Sequence, residues 1–261
     1  MTTSASLRLP TPDILREQVV LEEHDLAPGG TFAVVSRRFV DGMDYLSHLW
    51  VVTVPGGDAR QLTDGRVRDM RPAISPDGTR VAFSRKLPGA ERAHLLVVGV
   101  DGEQPAEQLD LGELDPGHPV WSPDGRSIAF TAEARPQRFV VGEQPKKDDG
   151  STPEPTARVV TTMDYRWDEV GYVDRRSQVF VAAADGSTAP RQVTAIDGGV
   201  SGVPAWRPDG LALAFTADPR PDADRQPKTS IWEAPVGGSE PREILALAGP
   251  VRAPAYAPDS R

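Results

Sequence analysis

Three groups of residues in this chain are of types that do chemistry, and each has a plainer competing use. Gly199-Val200-Ser201-Gly202 places a serine among glycines, but an exposed nucleophilic hydroxyl needs a Gly-x-Ser-x-Gly elbow, where the backbone turns sharply beneath it. Val203 follows Gly202, no Gly-x-Ser-x-Gly string occurs anywhere, and the run reads as a loop between structural units. The histidines, His24, His48, His94 and His118, are dispersed, without His-Glu-x-x-His spacing and without any cysteine beside them. Structural use is expected, with no metal site and no cofactor. Asp77, Asp124 and Asp209 could be pictured as a ring of carboxylates, yet each stands directly before a glycine, where turn formation accounts for it. No catalytic residue is assigned. What remains is Arg166, Trp167, Arg175 and Arg176, close together in one stretch. Planar guanidinium groups grip carboxylates through paired hydrogen bonds, so this cluster is the candidate recognition site, for a partner domain or a peptide carboxylate. Its plainer reading is arginines on a solvated loop with Trp167 packed beneath.

The elements that must position these residues come as a repeat. Ile74-Ser75-Pro76-Asp77-Gly78, Trp121-Ser122-Pro123-Asp124-Gly125 and Trp206-Arg207-Pro208-Asp209-Gly210 are near-copies, and Tyr256-Ala257-Pro258-Asp259 begins another. Pro76 and Pro123 are 47 residues apart, Pro208 and Pro258 are 50 apart, and a weaker first copy puts Pro28 48 residues before Pro76. Only Pro123 to Pro208, at 85 residues, is long, implying an insertion of about 37 residues within a single unit. In each copy the Asp-Gly pair is expected to supply the positive φ of a tight two-residue turn. The strand after it alternates: Val81 and Phe83, Ile128 and Phe130, and Leu213 and Phe215 share one face, with Ala82, Ala129 and Ala214 on the other.

A second hairpin keeps the same register. His48 to Val52, His94 to Val98, Gln178 to Ala182 and Ser230 to Ala234 align, and each runs through a glycine turn into a short strand such as Gln61-Leu62-Thr63 or Gln192-Val193-Thr194. Four antiparallel strands in roughly 47 residues, repeated, make a β-propeller blade. A sandwich is the competing all-β architecture, but it would not repeat its turn chemistry at fixed distance. The expected organisation is an extension over residues 1–18, with a short helix capped by Thr11 and Pro12, and a partial propeller over 19–261. The blades fall at about 19–63, 70–109, 118–194 (with the insertion at 133–176) and 203–245, and a fragment occupies 252–261.

Composition agrees: 24 glycines and 26 prolines with 6% aromatic residues suit short strands and tight turns. A formal net charge of −9 argues against a nucleic-acid surface, which needs clustered Lys and Arg to displace counterions. No segment is apolar over transmembrane length, and the first residues lack the apolar run of a signal peptide, so no membrane partner and a cytoplasmic location are expected.

The insertion is charged and proline-rich at first, then regains strand character. Its later part reads Met163-Asp164-Tyr165-Arg166-Trp167-Asp168-Glu169-Val170-Gly171-Tyr172, then Arg175-Arg176-Ser177-Gln178-Val179-Phe180-Val181. With the Pro-Asp-Gly blades, this stretch resembles the N-terminal propeller of the prolyl oligopeptidase family of serine peptidases, nearest its acylaminoacyl-peptidase and dipeptidyl-peptidase branch. The blade motif alone is shared with TolB-type propellers; the Tyr165 to Tyr172 stretch is more selective. The resemblance implies a propeller that filters short peptides for an α/β-hydrolase domain carrying the catalytic Ser, Asp and His. That branch also grips substrate amines with paired acids, but Glu22-Glu23 lies in the first strand rather than in an insert and is set aside.

Without an elbow, this chain is expected to be inactive alone. It stops within a fifth unit, so the expectation is a truncated or split product whose partner is a hydrolase domain or a missing C-terminal half, or which associates with itself through the open blade edge. The alternative is a stand-alone TolB-like propeller acting as a protein-binding scaffold.

Overall fold

The computed structural model describes residues 14, 17–134, 160, 163, 165–168, 171–173, 175–238, 240–247 and 249–258. The described residues contain no α-helix; Ile14 and Glu17 have 3₁₀ geometry, Gln18 has no regular structure, and the rest of the helix expected over 11–18 lies outside them. No helix among them is long and apolar enough to cross a membrane. The chain divides into two compact units, residues 1–107 and 108–261.

The first unit holds two blades. Blade 1 is the meander β1 (Val20–Leu26), β2 (Phe32–Asp41), β3 (Asp44–Thr53) and β4 (Ala59–Gln61). Blade 2 is β5 (Arg68–Ile74), β6 (Arg80–Lys86), β7 (His94–Gly99) and β8 (Glu107–Gln108). A single parallel bridge, Ser47 to Arg68, joins them. Val34, Leu49, Ile74, Val81, Phe83, Leu96 and Val98 form one buried cluster, to which both blades contribute. The backbone of β5 is bulged at Arg71-Pro72, with φ of 56° at Arg71. Side chains of β1 meet the amides that this bulge frees: Asp25 accepts from Ile74 N at 2.7 Å, and Glu23 accepts from Arg71 N. Glu22 pairs with Arg38 and Arg68, so both members of the acidic pair have structural partners.

The second unit is built alike. Blade 3 is β9 (Val120–Trp121), β10 (Ser127–Ala134), β13 (Arg176–Ala183) and β14 (Arg191–Gln192), in the order β14-β13-β10-β9. The separate hairpin β11 (Arg166–Trp167) and β12 (Gly171–Tyr172) lies between β10 and β13 in sequence. Blade 4 is β15 (Val200–Trp206), β16 (Ala212–Ala217), β17 (Ser230–Pro235) and β18 (Arg242–Leu245). Val179, Val181, Val193, Val200, Leu213 and Phe215 pack as one apolar cluster between the two blades, and the Trp206 indole N–H donates to the Val120 carbonyl at 3.0 Å.

The Pro-Asp-Gly hairpins correct one expectation. Gly78 N bonds Ser75 O at 2.8 Å and Ser75 N bonds Arg80 O at 2.8 Å, so four residues, Pro76 to Thr79, form the loop. Pro76 and Asp77 occupy its centre, and Gly78 follows at φ 72°. Proline at the second turn position forbids the two-residue primed turn that an isolated Asp-Gly pair would favour, because its ring fixes φ negative. The strands after these turns are buried on both faces: Val81, Ala82 and Phe83 are all fully covered.

A second device recurs within each unit. Arg60 on β4 donates to the Val100 carbonyl of blade 2, and Arg191 on β14 donates to the Val236 carbonyl of blade 4. In both places Arg-Gln-Leu/Val-Thr is the sequence. Its threonine hydroxyl accepts the amide of the adjoining strand, Thr63 from Leu49 and Thr194 from Val179, each at 2.9 Å.

Candidate functional site

A four-stranded meander puts its first and third turns at one end, and its middle loop with the blade-to-blade link at the other. In blade 3 the long middle connection emerges at that second end and carries the predicted recognition residues. Arg166 lies on β11 opposite Tyr172 and is exposed. Trp167 stands opposite Gly171; its side chain is outside the described residues. Arg175 is exposed just before β13, and Arg176 opens β13 opposite Ala134, half-buried. Arg166 and Trp167 are thus on the hairpin, Arg176 on the strand that follows and Arg175 in the link between them. Of the stretch from Arg158 to Trp167 expected to have strand character, Arg166 and Trp167 form β11, Val160, Met163 and Tyr165 are outside any strand, and the remainder lies outside the described residues.

This stretch is fastened to blade 4. Met163 N donates to Asp224 at 2.6 Å, and Asp224 belongs to the β16–β17 loop. That loop is itself braced by Asp218, which accepts two hydrogen bonds from Arg220 at 2.8 Å and one from Lys228 N at 2.7 Å. Burial pushes the Asp218 carboxyl upward, but these donors overcome it and hold the group below the usual range. Between the two loops runs Gly198-Gly199, at φ 78° and 81°. A Cβ on Gly198 would stand 2.5 Å from the Asp218 carbonyl, and one on Gly199 would stand 2.9 Å from both the Arg176 Cβ and the Ser177 carbonyl. Only glycine lets the link pass so close beneath both loops.

The residues set aside as catalysts have structural partners. Val200 to Gly202 open strand β15 (Val200–Trp206) and are not the expected loop, because Val200 packs into the inter-blade cluster. Ser201 Oγ lies 2.9 Å from Thr216 Oγ1, a hydroxyl and not a base. His48 bridges Gly65 O at 2.8 Å and Gln61 Nε2 at 3.1 Å. Gln178, its counterpart in blade 3, does the same work, with its amide joined to Ile196 O at 2.9 Å and Ile196 N at 3.1 Å. Among the described residues no group of His, Cys, Asp and Glu has the arrangement of a metal site.

Sequence reading missed two charged clusters. Asp69 is wholly buried and takes a bidentate pair from Arg85 at 2.7 and 2.8 Å, while its carbonyl accepts from Ser36 and Ser47. The Asp69 hydrogen bonds raise the Arg85 pKa. Glu233 on β17 is 5% exposed and gathers Tyr256 Oη at 2.7 Å, Arg242 at 2.7 Å and Arg207 at 3.3 Å. Burial would raise the Glu233 pKa, but the tyrosine hydroxyl and the two guanidinium groups bring it below the usual value. Tyr256 is pushed the other way, by burial and by the carboxylate it faces. A signal did exist in the sequence: Glu233 interrupts the aligned column Val51, Val97, Val181, and Arg207 stands where Ser75 and Ser122 do.

No family model matches the chain. Among curated proteins it is 26% identical over 213 residues to an uncharacterized peptidase of Bacillus subtilis, YuxL, covering 81% of this chain and 31% of that protein. It is 24% identical over 220 residues to dipeptidyl-peptidase 5 of Porphyromonas endodontalis, covering 79% of this chain and 30% of that protein. The chain thus spans about a third of the length of the curated relatives it matches. Among solved structures, Pyrococcus horikoshii acylaminoacyl peptidase superposes with a TM-score of 0.63 at 14% identity, over 90% of this chain and 33% of that one. A TolB from Agrobacterium tumefaciens superposes with a TM-score of 0.58 at 18% identity, over 92% of this chain and 67% of that one. A similarity in sequence to peptidases and a propeller-like all-β fold therefore coincide over most of this chain.

Proposed function

We propose that this chain is the substrate-gating propeller portion of an acylaminoacyl-peptidase-like serine peptidase, acting in peptide hydrolysis without holding the catalytic serine itself. The observation that carries the reading is the match to peptidases over about four-fifths of the chain but only about a third of theirs. A propeller of this kind filters by size: short peptides reach the chemistry and folded chains do not. The partner is an α/β-hydrolase domain, and its docking end is the one bearing the middle loops and blade links. In the first unit Met43, Tyr45 and Leu87 are exposed at that end; in the second, Val160, Met163, Tyr165 and Leu247 are. In each unit taken by itself these exposed apolar groups suit a docking surface, and in the second Arg166 and Arg175 supply guanidinium forks for a carboxylate on the partner or on a peptide. Nucleic acid and membrane surfaces are not part of this reading, given the net charge of −9. The cysteine-free composition fits the cytoplasm.

The test is direct. The purified chain, offered a peptidyl-nitroanilide and a fluorescent serine-directed phosphonate, gives neither colour nor label. A labelled serine in this chain would overturn the reading. A TolB-like scaffold, the alternative, is favoured only by a likeness of fold.

A further inference from the structure

Two inter-blade junctions inside the units are closed by apolar side chains. Val51 packs against the cluster between blades 1 and 2, and Val181 belongs to the cluster between blades 3 and 4. The junction between blade 4 and the fifth repeat is made differently at the same positions. The valine of the column is Glu233, the serine before the turn proline is Arg207, and the Trp206 of the fourth repeat becomes Tyr256 in the fifth. Where the Trp206 indole reaches a backbone carbonyl, the Tyr256 hydroxyl reaches the Glu233 carboxylate at 2.7 Å. Two more hydrogen bonds cross here: Thr229 Oγ1 donates to Val251 O at 2.7 Å and accepts from Val251 N at 3.0 Å.

We propose that the junction between blade 4 and the repeat that follows it is a reversible, charge-keyed seam, the place where this propeller parts. When Tyr256 leaves, Glu233 keeps Arg207 and Arg242, and Arg207 keeps Asp209 at 2.9 Å. No buried charge is stranded, which is the costly outcome in opening an ionic contact. The key is also selective: an apolar blade edge set against Glu233 would leave the carboxylate short of its hydroxyl donor, so the face accepts a tyrosine-bearing strand and disfavours a valine- or leucine-bearing one. That the parting admits substrate rests on the gating function proposed above; the seam itself does not.

Hydrogen exchange followed by mass spectrometry on the chain at neutral pH tests the seam whether or not the chain serves a peptidase, so its failure is distinct from failure of that reading. Amides of residues 250–257 should exchange well ahead of those in 200–217. Tyr256→Phe should speed the first group about tenfold and leave the second unchanged. The triple substitution R207S/E233V/Y256W, which copies the blade 3 to blade 4 junction, should slow the first group about tenfold. Exchange in 250–257 as slow as in 200–217 would overturn the proposal. So would fast exchange that Tyr256→Phe does not alter, because that describes a frayed strand and not a keyed contact; Tyr256→Phe alone decides the matter if the triple variant does not fold.

Discussion

One carboxylate oxygen organises each Pro-Asp-Gly turn. Asp77 Oδ1 accepts from Ser75 Oγ at 2.5 Å, from Thr79 N at 3.0 Å and from Thr79 Oγ1 at 2.8 Å. These bonds, the serine's first, draw the Asp77 pKa down to about 2. Asp77→Ala should cost about 1 kcal/mol in urea unfolding, the net worth of a few solvent-exposed hydrogen bonds. The sign of the pH effect follows from a folded value below the unfolded one: the carboxylate's contribution is complete above the unfolded value of 3.8 and is lost as pH falls through about 2. The alanine variant should lack that part of the acid dependence. Asp69 is the contrasting case. It is fully buried against Arg85, and Asp69→Ala, which leaves a half-buried guanidinium without its partner, should cost about 3 kcal/mol or more by the same measurement. The turn aspartates were legible because a local pattern, aspartate before glycine, states their job. Asp69 was not, since its partner lies sixteen residues away on β6 and no repeat shares the pair.

The strands and hairpins were the legible elements, because each repeat restates a period of two and a glycine at each turn. The turn type was not, because it depends on where proline sits relative to Asp-Gly and not on the pair alone. The start of strand β15 reads as a loop in the sequence because Gly199, Ser201 and Gly202 have loop composition. Its register with β16 shifts between Ser201 and Ala205, so those residues serve a bulge. The glycine pair just before it is equally constrained. Gly199→Ala adds a Cβ 2.9 Å from backbone at φ 81°, and should destabilise by about 2 kcal/mol or more in denaturant titration. Phe215 on β16 is 1% exposed in the inter-blade cluster; Phe215→Ala should cost about 3–5 kcal/mol. A cost below about 1 kcal/mol at either position would mean that blades 3 and 4 do not pack as described.

At the scale of the molecule, the repeat spacing carried the fold, and the similarity to peptidases runs over about four-fifths of the chain. The candidate recognition residues were legible only as a cluster: Arg166 lies on one hairpin, Arg175 just before the strand that follows and Arg176 at its start, and no pattern within one chain names what they would meet. The charge-keyed seam at Glu233 was visible only as a broken column, whose meaning needed the fifth repeat's tyrosine in place beside it. A gating propeller implies machinery that it gates, encoded with it or near it. The most direct measurement is therefore the nucleotide sequence on both sides of the segment that encodes this chain. Further Pro-Asp-Gly repeats with an α/β-hydrolase bearing Gly-x-Ser-x-Gly, in the same frame or adjacent to it, is the result expected. Flanking sequence with neither would contradict the peptidase function and leave a propeller that binds without gating.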